Sequence, residues 1–187
     1  DFLGLIKTPP EKIVDVGTGS GCIAIGLAQH FEQATVWATD IELGALVVAT
    51  ENIINYDLEE RILPMQSDLL ENLIDEQGDP ILFDLIISNP PYVDPDEAFD
   101  LPQEYLKEPQ KALFADNQGM ALVARLLDQA QRHLTPQGRI FIEVGNGRAA
   151  FERLWPQATV TWLDFEPKSA EILTITAAQI ANWRGTA

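Results

Sequence analysis

Cysteine, histidine and positive charge are all scarce in this chain of 187 residues. The one cysteine, Cys22, excludes an internal disulfide and suits a reducing compartment. It opens an apolar helical stretch, where it is expected to pack as a small hydrophobe. The two histidines, His30 and His133, lie far apart, form no zinc spacing with Cys22 and each fall near a helix end. Helix-end roles are therefore expected of them, and no metal site is. Lys and Arg number 12 against 29 Asp and Glu, a formal charge of -17. So little basic surface counts against a general nucleic-acid binder. It favours a basic partner through long-range attraction, or serves solubility alone. No apolar run approaches the roughly 18 residues of a membrane span, and there is no signal-peptide pattern, so a cytoplasmic setting is expected. Repeats, heptads and low-complexity tracts are lacking as well. What remains is an ordinary globular composition, 46% apolar and 22% charged, read as one domain over residues 1–187 with a substantial core.

Strand-like and helix-like stretches alternate along the chain. Strands are expected at 12–17, 35–40, 62–68, 82–88, 139–144, 159–165 and 170–176, and helices at 21–31, 42–56, 119–134 and 147–155. Alternation of this kind predicts an α/β fold, a mostly parallel, doubly wound sheet with helices on both faces. The last two strands have no helix between them and are expected to pair as an antiparallel hairpin. Leu122, Leu126, Ala130 and Leu134 recur every four residues and read as a core stripe. Gln179 to Trp183 are expected either to close over the sheet edge or to hang free. The polar stretch 93–118 is long for a simple connection.

Chemistry concentrates at strand ends. The run Leu82 to Ser88 stops at Asn89-Pro90-Pro91-Tyr92. Neither proline has an N–H for a ladder, and Asn89 is pushed from the helical region by the proline after it. The chain is thus stiff at the place where open α/β sheets bind ligands. A rigid Asn carbonyl, free proline carbonyls and an aromatic face suit a planar group bearing an NH₂.

Upstream, Asp15-Val16-Gly17-Thr18-Gly19-Ser20-Gly21 follows a strand and opens a helix. Glycines there let backbone approach a ligand closely, and the spacing is Gly-x-Gly-x-Gly, unlike the dinucleotide fingerprint. The strand Thr35 to Asp40 ends in an acid placed to accept both hydroxyls of a ribose, with Ile41 next to it. Asp15 is placed to attract an ammonium. Asp68, followed by Leu69, ends another strand and is placed to accept from an adenine amino group; Asp15 and Asp68 also suit plain turn or helix capping.

With these motifs in this order, the chain resembles class I S-adenosylmethionine-dependent methyltransferases acting on planar amino nitrogens. Within them it resembles the protein-(glutamine-N5) methyltransferases. It is most similar to the branch modifying the third large-subunit ribosomal protein, with the release-factor enzyme a near relative. Tyr92-Val93-Asp94, Leu101 to Tyr105, Glu108-Pro109 and Glu143-Val144-Gly145-Asn146 carry that likeness.

The resemblance implies a seven-stranded sheet and S-adenosyl-L-methionine held by Asp15, Gly17, Thr18, Gly19, Ser20, Gly21, Asp40, Ile41, Asp68, Leu69 and Asn89. It implies methyl transfer to a glutamine side chain at Asn89, Pro90, Pro91 and Tyr92. Residues 93–118 become a lid, with Glu108 and Pro109 helping to enclose the glutamine. The implied partner is a basic translation protein, a ribosomal protein or a release factor. A monomer without direct DNA binding is expected. The family usually carries a helical domain ahead of this part. Residues 1–187 show no counterpart, so a catalytic fragment is expected.

Two other classes share parts of the pattern. Adenine-N6 DNA methyltransferases use the same tetrapeptide, but the acidic charge counts against them. A non-catalytic module on this fold would be expected to carry a damaged glycine turn or tetrapeptide, and both are intact.

Overall fold

The computed structural model describes residues 3–90, 120–163 and 171–184. Its centre is a seven-stranded sheet in the order β3-β2-β1-β4-β5-β7-β6. The strands are β1 (Lys12–Val16), β2 (Thr35–Asp40), β3 (Ile62–Gln66), β4 (Phe83–Ser88), β5 (Leu134–Glu143), β6 (Thr161–Leu163) and β7 (Ile172–Thr176). The first five run parallel, and β7 lies antiparallel to both β5 and β6. The doubly wound sheet and the closing antiparallel pair are thus as expected from the alternation. Helices are α1 (Cys22–His30), α2 (Leu43–Asn55), α3 (Met120–His133), α4 (Arg148–Leu154) and α5 (Ala177–Arg184), with a short 3-10 turn at Leu3–Leu5.

Strand β1 is buried from Ile13 to Val16 because it has a neighbour on each side and helices on each face. Its alternate residues enter different cores. Ile13 joins Ala24, Leu27, Ala49, Ile53 and Phe141 on the α1 and α2 side. Val14 and Val16 join Phe83, Val123, Leu126, Ile140, Phe151 and Ile180 on the side of α3, α4 and α5. Truncating a fully buried ring such as Phe83 to alanine is the kind of change that costs about 3–5 kcal/mol. Pro64 is tolerated within β3 because that strand is an edge, paired only with β2.

Several boundaries differ from expectation. β5 begins at Leu134, not 139, and its pairing shifts between Phe83 and Leu85. Thr135-Pro136-Gln137-Gly138 reads as a turn, yet it is an irregular strand start. A Cβ on Gly138 would stand 2.8 Å from the Phe83 carbonyl oxygen, so this close approach requires glycine. Leu134 accordingly belongs to a strand and not to the helical stripe. β3 stops at Gln66, two residues short. Gln179 to Trp183 are helical: α5 buries Ile180, and Trp183 lies 6.0 Å from Trp155 and 6.4 Å from Phe151, ring centre to ring centre. His133 does end α3. Its Nδ1 lies 3.0 Å from the Ile81 carbonyl, which only accepts, so Nδ1 carries the proton. Burial above all holds the pKa of this ring below its usual value.

Candidate active site

The chain order reverses between β1 and β4. Strands β2 and β3 lie to one side of this pair, and β5, β7 and β6 to the other. Ligands in open α/β sheets bind in the crevice outside the carboxyl ends at such a reversal. A cavity of about 400 Å³ lies there. Val16 with Gly17 and Gly19 enter it from β1, Asp40 to Glu42 from β2, Ser67 to Leu69 from β3, and Ser88 to Pro90 from β4. The ends of β1 and β4 are tied by the Ser88 hydroxyl, which donates to the Val16 carbonyl at 2.8 Å.

The glycine turn is held by its neighbours. The N–H groups of Gly17 and Thr18 both donate to the Thr39 carbonyl at 2.8 Å. The Gly19 N–H donates to Asp40 Oδ2 at 2.9 Å. Gly17 and Gly19 have φ of 72° and 56°, and a Cβ on either would meet no atom within 4 Å. They leave room at the cavity wall as well as adopting the left-handed backbone. Gly21 has another task, since a Cβ there would press on Ala49 of α2 at 3.3 Å. Ser20 and Thr18 also brace the turn. The Ser20 carbonyl accepts from Asn52 of α2 at 2.9 Å, and Thr18 is buried behind the turn. Cys22, expected to be packed, is exposed, with Sγ 3.3 Å from the Ser20 hydroxyl.

Asp15 faces inward. Its Oδ2 accepts the Thr18 hydroxyl at 2.6 Å and the Ala24 N–H at 3.1 Å, bracing the turn against the first turn of α1. Its Oδ1 is buried with no partner among the described residues. Burial is the main reason its pKa is pushed up to about 6. The two hydrogen bonds oppose that shift, and the negative Asp40 adds to it. Asp15 does not line the cavity.

Asp40 does line it. Oδ2 holds the glycine turn and Oδ1 accepts the Glu42 N–H at 2.9 Å. Each oxygen retains a second lone pair for a hydroxyl. Beside it Ile41 is 57% exposed, an apolar surface at the same cavity as Leu69. Asp68 is more committed than the sequence suggested: Arg125 of α3 donates to its Oδ2 at 2.8 Å, and reaches Glu71 at 3.5 Å. Its Oδ1 carries no bond among the described residues. Leu69 takes a left-handed φ of 56°, unusual for a branched side chain. The turn is pinned by Gln129, only 7% exposed, whose Oε1 accepts the Leu70 N–H at 2.7 Å while its Nε2 donates to Glu71 at 3.3 Å.

Arg125, Gln129 and Glu42 escaped the sequence analysis. Leu122, read there as core, lines the cavity instead. For Gln129 the available signal was a polar residue on the buried face of a helix otherwise rich in apolar positions; the exposed Arg125 and Glu42 offered none. Asn89 is exposed at the end of β4 and Pro90 is buried behind it. Pro91, Tyr92, Glu108 and Pro109 lie outside the described residues. Among the described residues no group of three or more potential ligands is placed to hold a metal ion, and no helix is long and apolar enough to cross a membrane.

A positively charged, ribose-bearing ligand with a flat apolar part fits this donor set. Asp40 has lone pairs free, Ile41 and Leu69 are apolar, and the open positions at Gly17 and Gly19 admit close backbone approach.

Known proteins bear on the assignment. The chain is 41% identical over 92% of its length to the ribosomal protein uL3 glutamine methyltransferase of Bradyrhizobium diazoefficiens. It is 40% identical over 91% of its length to the protein of that name from Neisseria gonorrhoeae. It spans about half of these curated relatives, 53% and 55% of their lengths. Among solved structures, a methyltransferase from Pyrococcus furiosus superposes with a TM-score of 0.65 at 18% identity, covering 94% of this chain and 80% of that one. The N-terminal domain of human METTL16 in complex with SAH gives 0.62 at 18% identity, covering 95% of this chain and 66% of that one. At such identities these two show a shared fold. The profile of the methyltransferase small domain matches residues 2–118, more than half of the sequence, and the chain belongs to that family.

Proposed function

We propose that this catalytic domain transfers a methyl group from S-adenosylmethionine to the side-chain amide nitrogen (N5) of a glutamine in the large-subunit ribosomal protein uL3. The observation that carries the chemistry is Asn89, exposed at the end of the strand that borders the β1–β4 reversal and lining the 400 Å³ cavity. The names of the two relatives support the choice of acceptor. Residues 1–187 are read as one domain, acting as a monomer in the cytoplasm on a basic protein and without direct DNA binding.

S-adenosylmethionine, when bound, supplies a sulfonium methyl already activated for transfer. Asp40 accepts from the ribose hydroxyls, Ile41 and Leu69 flank the adenine, and Asp68 offers Oδ1 to its amino group. The turn at Gly17 and Gly19 admits the cofactor closely. Asp15 supports that turn and adds negative charge beneath it.

An amide nitrogen shares its lone pair with the carbonyl and is a poor nucleophile. Asn89 Oδ1 and the Pro90 carbonyl accept its two hydrogens and hold the nitrogen in line. Because nitrogen loses planarity as it attacks, acceptors set for the distorted geometry favour the transition state over the ground state. Alignment of this kind lowers a barrier by several kcal/mol. Pro91, Tyr92, Glu108 and Pro109 complete the proposed glutamine site on the strength of the family resemblance. The surplus proton leaves to water at the exposed Asn89.

The test pairs two variants of the full-length protein with labelled cofactor and either whole ribosomes or release factors. Asn89→Ala is expected to bind cofactor within a few-fold of the parent and lose most turnover. Asp40→Ala is expected to weaken cofactor binding by calorimetry, since charged hydrogen bonds of roughly 1.5–3 kcal/mol each are lost. Label should appear on uL3 at a glutamine. Near-parent turnover by Asn89→Ala would make it a plain turn residue and remove the mechanism. Label on a release factor instead would keep the mechanism and change the acceptor. Retention of DNA at low salt would reopen the adenine-N6 alternative.

A further inference from the structure

A second cavity, of about 270 Å³, meets the first at Ser88 and Asn89. Its walls are Ile23, Gly26 and Leu27 of α1, Ile87 of β4, Phe141 of β5 and Ile172 of β7. Its polar groups sit at the strand ends: Ser88, Asn89 and Glu143. Ser88 and Ile142 are partners in the parallel β4–β5 register, so Asn89 and Glu143 follow side by side at the carboxyl edge. Ile23, at the outer wall, is 37% exposed. The space therefore begins at the proposed reacting centre and runs away from the cofactor cavity over apolar side chains.

We infer that this cavity is a subsite for an apolar side chain of the acceptor protein, one or two residues from the methylated glutamine. The inference rests on the glutamine reading above. A residue that close in an extended segment lies within about 7 Å of the glutamine along the chain, a distance that reaches from Asn89 into the cavity. An apolar side chain leaving water for these walls gains affinity without adding polar groups that need partners. Neighbouring sequence would thereby select one glutamine among many, which the amide contacts at Asn89 alone cannot do.

Gly26 makes the inference testable. It lies inside α1 with no positive φ, and a Cβ on it would meet no atom within 4 Å. Gly26→Leu therefore places an aliphatic chain in the cavity while improving helix propensity. In the full-length protein, with peptides carrying the target glutamine, the variant is expected to raise the acceptor KM at least tenfold. Cofactor Kd should stay within twofold and Tm should not fall. Parent enzyme should prefer peptides with Leu or Phe beside the glutamine over Ala, and the variant should lose that preference.

An unchanged acceptor KM, or no flanking preference in the parent, overturns the subsite. A fall in Tm of several degrees means the protein's own chain fills the cavity, and weaker cofactor binding means the cofactor does; both overturn it too. Asn89→Ala run alongside separates the two readings. If it abolishes turnover while Gly26→Leu keeps the parent KM, only the subsite fails. If Asn89→Ala keeps turnover, both fail.

Discussion

Asp15 shows how much one residue's surroundings change its meaning. In sequence it is an acid at a strand end, like Asp40. In the fold Asp40 lines the cavity while Asp15 is wholly buried, one oxygen bracing the glycine turn and the other without a partner among the described residues. Its pKa of about 6 lies above the ordinary 3.8, so between those values the folded chain holds a proton that the unfolded chain has released. The resulting stabilisation is complete below about pH 4 and disappears as pH rises through 6. Relative to Asp15→Asn, which does not titrate, the parent should thus lose stability between pH 4 and 7, by on the order of 2–3 kcal/mol. Urea unfolding of both proteins at several pH values measures this difference, and parallel curves would contradict it. The strand-end positions of Gly17, Gly19, Asp40 and Asn89 were legible because parallel strands bring all their carboxyl ends to one edge. Whether an acid there turns inward was not, because that depends on the Thr18 hydroxyl and the Ala24 N–H folding over it.

At the scale of the element, α3 does more than fill the core. Its face of Met120, Val123, Leu126, Leu127 and Ala130 packs under the sheet, sharing only Leu126 and Ala130 with the stripe expected from the apolar spacing. The same helix reaches the turn after β3 through Gln129 and Arg125, and lends Leu122 to the cavity. Gln129→Leu should strand the buried Leu70 N–H at a cost of about 1–3 kcal/mol. Freed from this pin, the strained turn at Leu69 should relax, and cofactor affinity should fall several-fold. Gln129→Glu keeps the acceptor for Leu70 but sets a buried carboxylate against Glu71, so it should lose stability as well. Calorimetry with denaturant unfolding separates the effects; lost stability with unchanged affinity would take the turn out of the cofactor site. Gln129 is 59 residues from Leu70, so their meeting is a product of helix placement on the sheet.

For the whole molecule the dominant quantity is the charge of -17. If it draws a basic acceptor, association should slow steeply as salt rises, because exposed charges are screened beyond about 8 Å at physiological ionic strength. Turnover at saturating acceptor should hardly change. Stopped-flow association rates across a salt series test this, and equal rates at low and high salt would leave solubility as the reason for the charge.

Local pattern alone determined the element order, the parallel sheet, the closing antiparallel pair and the clustering of motifs at strand ends. Each follows from hydrophobic period, proline and glycine, which act over a few residues. Tertiary structure decided which polar groups face the cavity and which lock the frame, the Arg125–Asp68 pair, the left-handed turn at Leu69, and the irregular start of β5 at Gly138. It also decided that a second, apolar cavity opens beside Asn89. These depend on contacts between residues distant along the chain. Such contacts leave little trace in local spacing, because packing between helices and sheet sets them.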